Sequence, residues 1–170
     1  MKFDPNTHYK LMILYLLNKV TFMLNDQQIM SFFNENEYAD FFKVHEILND
    51  LTEAQLVELY TTKNNQKFKL TENGRTTLKY FKNELSKNEI DNLDKYIKNN
   101  KLKMRSESAL TSDYTAQNDS YTVHLVINDS DKPTLSIDLD IPDEEVANNI
   151  CEHWNTKAQT IYNQIIKLLM

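Results

Sequence analysis

The chain has 170 residues, 41% hydrophobic and 26% charged, with one Gly, three Pro and one Cys. That is long enough for one domain or two small ones, and apolar enough for a packed core. A single glycine excludes phosphate-cradling Gly loops, dinucleotide fingerprints and nucleophile elbows, and a single cysteine excludes a disulfide framework and a cysteine-based zinc site.

The formal net charge of −6 is unevenly spread. Residues 1–85 carry 10 basic and 11 acidic side chains, residues 86–105 carry 6 and 3, and residues 106–170 carry 3 and 11. The first 105 residues therefore sum to +2 and the remainder to −8, a split that predicts two parts with different jobs. Lysine outnumbers arginine 17 to 2 and asparagine is abundant, which points to an AT-rich genome and not to function. The polar start MKFDPNTH reads as no signal peptide, and the apolar run LMILYLL (11–17) falls short of the about 20 residues a bilayer demands. With an unpaired cysteine, the expectation is a cytoplasmic protein that makes no membrane contact.

Taken in chain order, HYKLMILYLLNKV (8–20) has helical apolar spacing with a wide buried face. TFML (21–24) reads as a short extended piece. Asn25 then caps a second helix, with Gln28 as its capping-box partner and Ile29, Phe32 and Phe33 inward, ended by NENE (34–37). A third helix is predicted from Asp40 to Glu53, with Phe41, Val44, Leu48 and Leu51 as its inner stripe. Strands follow at Gln55–Thr61 and Lys67–Leu70, joined by a tight turn at Asn64-Asn65. Thr71 caps a further helix through Phe81, opening with LTENGRTTLKYF (70–81).

Helix, short strand, helix, helix, hairpin, helix is the order of a winged helix-turn-helix. The Leu48…Leu51…Leu56 spacing, the hairpin and LTENGR carry that resemblance, and the last resembles the L-T-x-x-G-R segment after the wing of many small bacterial regulators. In a DNA-binding member the third helix enters the major groove. Its solvent-facing positions here are Phe42, Lys43, His45, Glu46 and Asn49. Asn49 suits adenine and Lys43 a guanine or a phosphate. Glu37, Asp40, Glu46 and Asp50 surround them, however, and this helix offers one lysine to neutralise phosphate. The wing offers more: Lys63, Lys67 and Lys69 with Asn64 and Asn65 at the tip, extended by Arg75, Lys79 and Lys82. The same lysines also suit an ordinary solvated surface.

Residues 84–105 read as one helix with Leu85, Ile90, Leu93, Ile97 and Met104 on one face, lysines opposite, and a Ser86–Glu89 capping box. It is read as a connector with a dimer contact, the other readings being a connector with a merely solvated lysine face or a second phosphate-contacting surface. Beyond Arg105 the apolar period changes to two. Residues 108–117, 120–129 and 134–141 read as three antiparallel strands. In the third, Leu135, Ile137, Leu139 and Ile141 face one way, with Ser136, Asp138 and Asp140 opposite. Pro142 opens a final helix with Asp143, Glu144 and Glu145 in its first turn and Val146, Ile150, Trp154, Ala158, Ile161 and Ile165 as its stripe. Its apolar end, IIKLLM, is read as core, with a partner surface as the second reading. The fold class is thus α+β: an N-terminal winged helix-turn-helix (1–85), a connecting helix (86–105), and a three-stranded antiparallel sheet covered by a long helix (106–170).

YKLMILYLLNKV (9–20), LTENGRTTLKYF (70–81) and IPDEEVANNICEHWNTKAQTIYNQI (141–165) resemble a bacterial family of unknown function, DUF4364, found mainly in low-GC Gram-positive organisms. The resemblance implies a transcriptional regulator and transfers no catalytic residue.

Chemistry is sparse. His8, His45, His124 and His153 lack metal-ligand spacing, Cys151 reads as a core thiol, and no Ser, His and Asp are spaced as a triad. The expectation is no enzyme, no cofactor and no metal. The first functional reading is a homodimeric regulator holding duplex DNA through the third helix and the wing, with the acidic part 106–170 dimerising or sensing a partner or ligand. The alternative is a protein-interaction adaptor that has given up DNA and docks a partner with its winged helix and C-terminal sheet.

Overall fold

The structure, a computed structural model, describes residues 5–61, 66–129 and 132–170. Among them the fold is α+β, with six α-helices and two three-stranded antiparallel sheets. Residues 5–61 with 66–105 form one compact unit, and 106–129 with 132–170 another.

The first unit is organised around helix α1 (Pro5–Val20), in which every residue from Leu11 to Leu17 is buried, and Val20 with them. A helix that is apolar all round has to be enclosed on all sides. Around it stand α2 (Asp26–Glu35), α3 (Phe41–Glu53), α4 (Glu72–Phe81) and α5 (Lys87–Ser108). The two-residue strand β1 (Leu24–Asn25) pairs with β3 (Gln66–Leu70), which pairs in turn with β2 (Val57–Thr61), giving the order β1-β3-β2. Leu24 lies opposite Phe68, Leu59 opposite Phe68 on the other side, and Val57 opposite Leu70, so the apolar side of the sheet joins the core. The extended piece predicted over 21–24 shrinks to β1, because Thr21 turns left-handed.

The predicted caps form. The Asn25 side chain accepts from the Gln28 N–H at 2.8 Å and Gln28 Oε1 accepts from the Asn25 N–H at 3.0 Å. Asp40 caps α3, and Thr71 caps α4 by accepting from the Gly74 N–H at 3.0 Å. The opposite ends are unusual. Thr21, Glu37 and Gln55 all have positive φ, at 66°, 55° and 57°. After α3 the Gln55 N–H reaches the Thr52 carbonyl and the Leu56 N–H reaches the Leu51 carbonyl, the bond pair of a Schellman cap. Glu37 and Tyr38 repeat it after α2 with the carbonyls of Asn34 and Phe33. Glycine is the usual residue there. The one glycine is spent elsewhere. A Cβ on Gly74 would lie 2.0 Å from the Leu56 carbonyl oxygen and 2.7 Å from Leu70 Cδ1, so α4 closes against the start of the hairpin only without a side chain.

Two predicted features of α3 change. Phe41, expected inward, is exposed; it is the first helical residue, and its ring packs on Phe42 and His45 instead of the core. Ile47 takes its place in the stripe with Val44, Leu48 and Leu51. The tight turn predicted at Asn64-Asn65 lies outside the described residues. The Ser86–Glu89 capping box forms, after a single 3-10 turn at Lys82–Glu84. Helix α5 runs on past Arg105, and it buries Leu93, Tyr96, Ile97 and Met104 in the first core. Its Tyr96 hydroxyl donates to the Gln28 carbonyl at 3.0 Å, and Gln28 Nε2 donates to the Met104 carbonyl at 3.3 Å.

The second unit has strands β4 (Leu110–Ala116), β5 (Tyr121–Asp129) and β6 (Lys132–Ile141) in chain order, with a register irregularity between Ile127 and Asn128. Helix α6 (Glu144–Leu169) covers one face. Its buried residues are Ala147, Cys151, Trp154 and Ala158, with Ile150 and Ile161 packed beside them. Trp154 Nε1 donates to the Val126 carbonyl at 3.2 Å. Pro142 does not open the helix. It precedes Asp143, which is the cap and accepts from the Val146 N–H at 3.0 Å. Val146 consequently falls outside the buried stripe. The apolar end is not core: Leu168 and Leu169 are 84% and 80% exposed. A helix of 26 residues rises about 39 Å, whereas strands of seven to ten residues span about 23–33 Å, so the last turns run beyond what the sheet can cover.

Two substitutions test this arrangement. Gly74→Ala should lower the stability of the first unit by about 1–3 kcal/mol, the usual cost of overpacking, measured by denaturant unfolding with unchanged slope. Gln55→Gly should raise it by about 0.5–1 kcal/mol, because the left-handed conformation carries no Cβ penalty for glycine; a loss of stability would disprove the strain assigned to that cap.

Candidate nucleic-acid interface

The predicted contact residues that the structure describes lie on three elements of the first unit. On α3 the solvent stripe follows from the buried one: with Val44, Ile47, Leu48 and Leu51 inside, Phe42, Glu46, Asn49 and Glu53 recur turn by turn outside. Phe42 is 80% exposed. Lys43, the only cation on this helix, holds Glu46 Oε2 at 3.0 Å, and its backbone N–H donates to the Asp40 carboxylate. Asp50 pairs with Lys10 of α1 at 2.7 Å. The positive charge of α3 is thus neutralised locally, and its surface is aromatic and acidic. His45 is half-buried. Its ring lies 4.3 Å from that of Phe41, and its Nε2 sits 3.7 Å from Asp26 Oδ2 at the start of α2.

The hairpin separates its lysines. Phe68 and Leu70 face the core, so Lys67 and Lys69 point the other way, opposite Tyr60 and Glu58 of β2. Lys69 is exposed beside Glu58. Lys67 is half-buried, and burial lowers the pKa of its ammonium below the usual lysine value. The Tyr60 hydroxyl is hydrogen-bonded to Glu58, which raises its pKa. Lys63, Asn64 and Asn65, the predicted tip, lie outside the described residues. On α4, Arg75, Lys79 and then Lys82 line one exposed stripe. Arg75 reaches Glu72 Oε2 at 3.3 Å and Asn18 Oδ1 at 3.4 Å, and Lys82 Nζ lies 5.3 Å from the centre of the Tyr15 ring. Tyr15 itself donates to Asp94 of α5 at 2.9 Å. Lys95, Lys98 and Arg105 stand exposed on α5.

Two surface residues carry no sequence signal of exposure. Phe41 occupies a periodic apolar position, and Leu102 of α5, 85% exposed, is one more leucine in a lysine-rich helix. Solvent-facing apolar groups look like core groups in a one-dimensional pattern.

The second unit offers little chemistry. His124 lies 2.8 Å from Asp138 and 3.3 Å from the Thr115 hydroxyl on the wet face of the sheet. Asp140 accepts from Ser120, and His153 contacts its own helix at Asn149. Glu144, at the start of α6, accepts from the hydroxyls of Tyr114 and Tyr121 and tethers the helix to the sheet. Cys151 is buried; burial raises the pKa of its thiol, and the Ser112 hydroxyl donates to its carbonyl. Among the described residues no three His, Cys, Asp or Glu side chains are grouped to hold a metal ion, and no helix is long and apolar enough to cross a membrane.

Residues 9–169 match the family described as a domain of unknown function, DUF4364, and the chain belongs to that family. No curated protein and no solved structure matches the chain.

The buried thiol has a simple readout. In the native protein at neutral pH, Cys151 should resist a disulfide reagent such as Ellman's and react at the rate at which the second unit opens, accelerating with denaturant. Rapid stoichiometric labelling without denaturant would show that the thiol is accessible.

Proposed function

We infer that the chain is a winged helix-turn-helix regulator of transcription, a cytoplasmic bacterial protein acting as a homodimer that holds duplex DNA from the hairpin side. One observation carries the reading: β1, lying between α1 and α2, pairs with the returning strand of a hairpin that follows α3 and precedes α4. That is the connectivity in which a third helix and a wing are presented together. The exposed cations Lys69, Lys79 and Lys82 supply phosphate contacts on the wing and the helix after it, while Arg75, like Lys43, is paired with an acid one turn away. Helix α3 supplies none of its own, since Lys43 is held by Glu46. The wing and α4 therefore provide the affinity in this reading, and α3 at most a base contact through Asn49.

A second reading, a protein-interaction adaptor, is favoured by one feature: Phe41 and Phe42 are exposed side by side on the acidic α3.

Fluorescence anisotropy with a labelled mixed-sequence duplex separates the two. The regulator binds at about 50 mM salt and loses affinity steeply as salt rises. Replacing Lys69, Lys79 and Lys82 together by Ala should flatten the log–log salt dependence by about 2–3, as expected for three phosphate contacts. No binding at low salt, or a salt slope untouched by the triple variant, would overturn the DNA reading.

A further inference from the structure

We propose that the outer edge of β6 receives an extended segment of a partner protein in which lysine or arginine alternates with aliphatic residues, adding a strand to the second sheet. In the order β4-β5-β6 the last strand has β5 on one side, and among the described residues no strand pairs with the other. An unpaired edge presents a row of N–H and C=O groups that another chain can match. The apolar side of the sheet is incomplete in the same place. Helix α6 lies chiefly over β4 and β5. Along the row Tyr114, Val123 and Leu139, exposure runs 8%, 0% and 38%. Leu135, Ile137 and Ile141 are half-buried, and no described residue of β6 is fully buried. The opposite edge strand, β4, buries Ser112 and Tyr114. The opening is therefore confined to one edge, where backbone and apolar row are both unfinished.

Charge selects the occupant. Asp138 and Asp140 stand two residues apart on the wet face of β6, both exposed. His124 Nδ1 meets Asp138 Oδ1 at 2.8 Å, and the Ser120 hydroxyl donates to Asp140 Oδ1 at 2.9 Å. Each contact uses one oxygen of its carboxylate and comes from the β5 side, and a hydroxyl carries no charge to offset Asp140. Proteins blunt open edges with charge. At these two positions that charge is negative. A second copy would bring the same two aspartates and the same −8 of residues 106–170, so like charge disfavours it. A strand with basic residues opposite Asp138 and Asp140 gains cross-strand pairs of opposite sign. Its alternate aliphatic residues lie beside Ile137 and Leu139 and extend the row that α6 leaves uncovered. Main-chain bonds supply the affinity and the alternation supplies the specificity. The contact goes beyond the DNA reading, since it gives the acidic second unit a basic protein partner, and it is tested in the absence of DNA.

The probe is a capped peptide of about nine residues, one strand in length, alternating lysine and valine and titrated into the full chain. Fluorescence anisotropy of the labelled peptide should show saturable binding, and the peptide should slow amide exchange within 132–141. Three changes should each weaken binding about tenfold or more: methylation of the peptide's backbone nitrogens, glutamate in place of its lysines, and Asp138→Asn with Asp140→Asn in the protein. Glu145→Gln with Glu152→Gln removes the same charge from exposed positions of α6 and should leave binding within about twofold of the parent. Circular dichroism and melting of both double variants should match the parent, because all four side chains are exposed. Any of five results would overturn the proposal. The first is no binding at about 1 mM peptide. The second is an N-methylated peptide that binds as well as its parent, and the third is protection that falls outside 132–141. The fourth is an α6 variant that weakens binding as much as the β6 variant. The fifth is a dimer in sedimentation equilibrium that the peptide takes apart, which puts a second copy on the edge. Duplex binding with the expected salt slope would survive each of these, so the two readings fail separately.

Discussion

The contact between Gly74 and the carbonyl of Leu56 governs how the first unit is joined. Leu56 links the end of α3 to the hairpin, and its carbonyl accepts from the Thr71 N–H at 3.2 Å, with the Thr71 hydroxyl also within 2.9 Å. Thr71 is the cap of α4, so one carbonyl serves the start of β2, the end of β3 and the first turn of the helix that follows. A side chain at residue 74 would push α4 off this point. The hairpin would then lose its fixed base, and Leu78 would be drawn away from the core that α1 fills.

Much of this architecture can be read along the chain, since period and capping are local. The capping boxes at Asn25 and Ser86 need only residues three apart, and each forms as its spacing predicts. The alternation in β6 likewise places Leu135 and Ile137 toward the helix. What escapes is whatever depends on a neighbour's extent. Phe41 has the period of a core residue and no neighbour at the tip of α3 to receive it. The IIKLLM end continues the stripe of Trp154 and Ala158, yet the sheet stops first. Gln28 shows the converse. Its capping role is written in its spacing, while its bond to the Met104 carbonyl joins residues 76 apart and has no local trace.

For the candidate interface the lesson concerns charge. Residue counts assign +2 to the first 105 residues, which suggests a mildly basic surface. The structure sorts that total into an acidic helix, a half-buried lysine on the hairpin, and exposed cations on α4 and α5. Net charge steers encounter, but placement decides which surface a phosphate or a carboxylate can meet. Lys43 and Lys98 each count as one positive charge; among the described residues only the second is without an ion pair.

The left-handed caps at Thr21, Glu37 and Gln55 bear on the timescale of motion as well as on stability. Holding a side chain in that region costs about 1–2 kcal/mol at each site. All three sites are helix ends, and two of them flank α3. Strain of that kind is released by unwinding a single turn, with no need to open the core. Local opening should therefore begin at the boundaries of α3 long before α1 is exposed to water. The helix richest in exposed aromatic and acidic groups thus ends on one such cap, at Gln55, and follows another, at Glu37, so a partner can adjust it without unfolding its support.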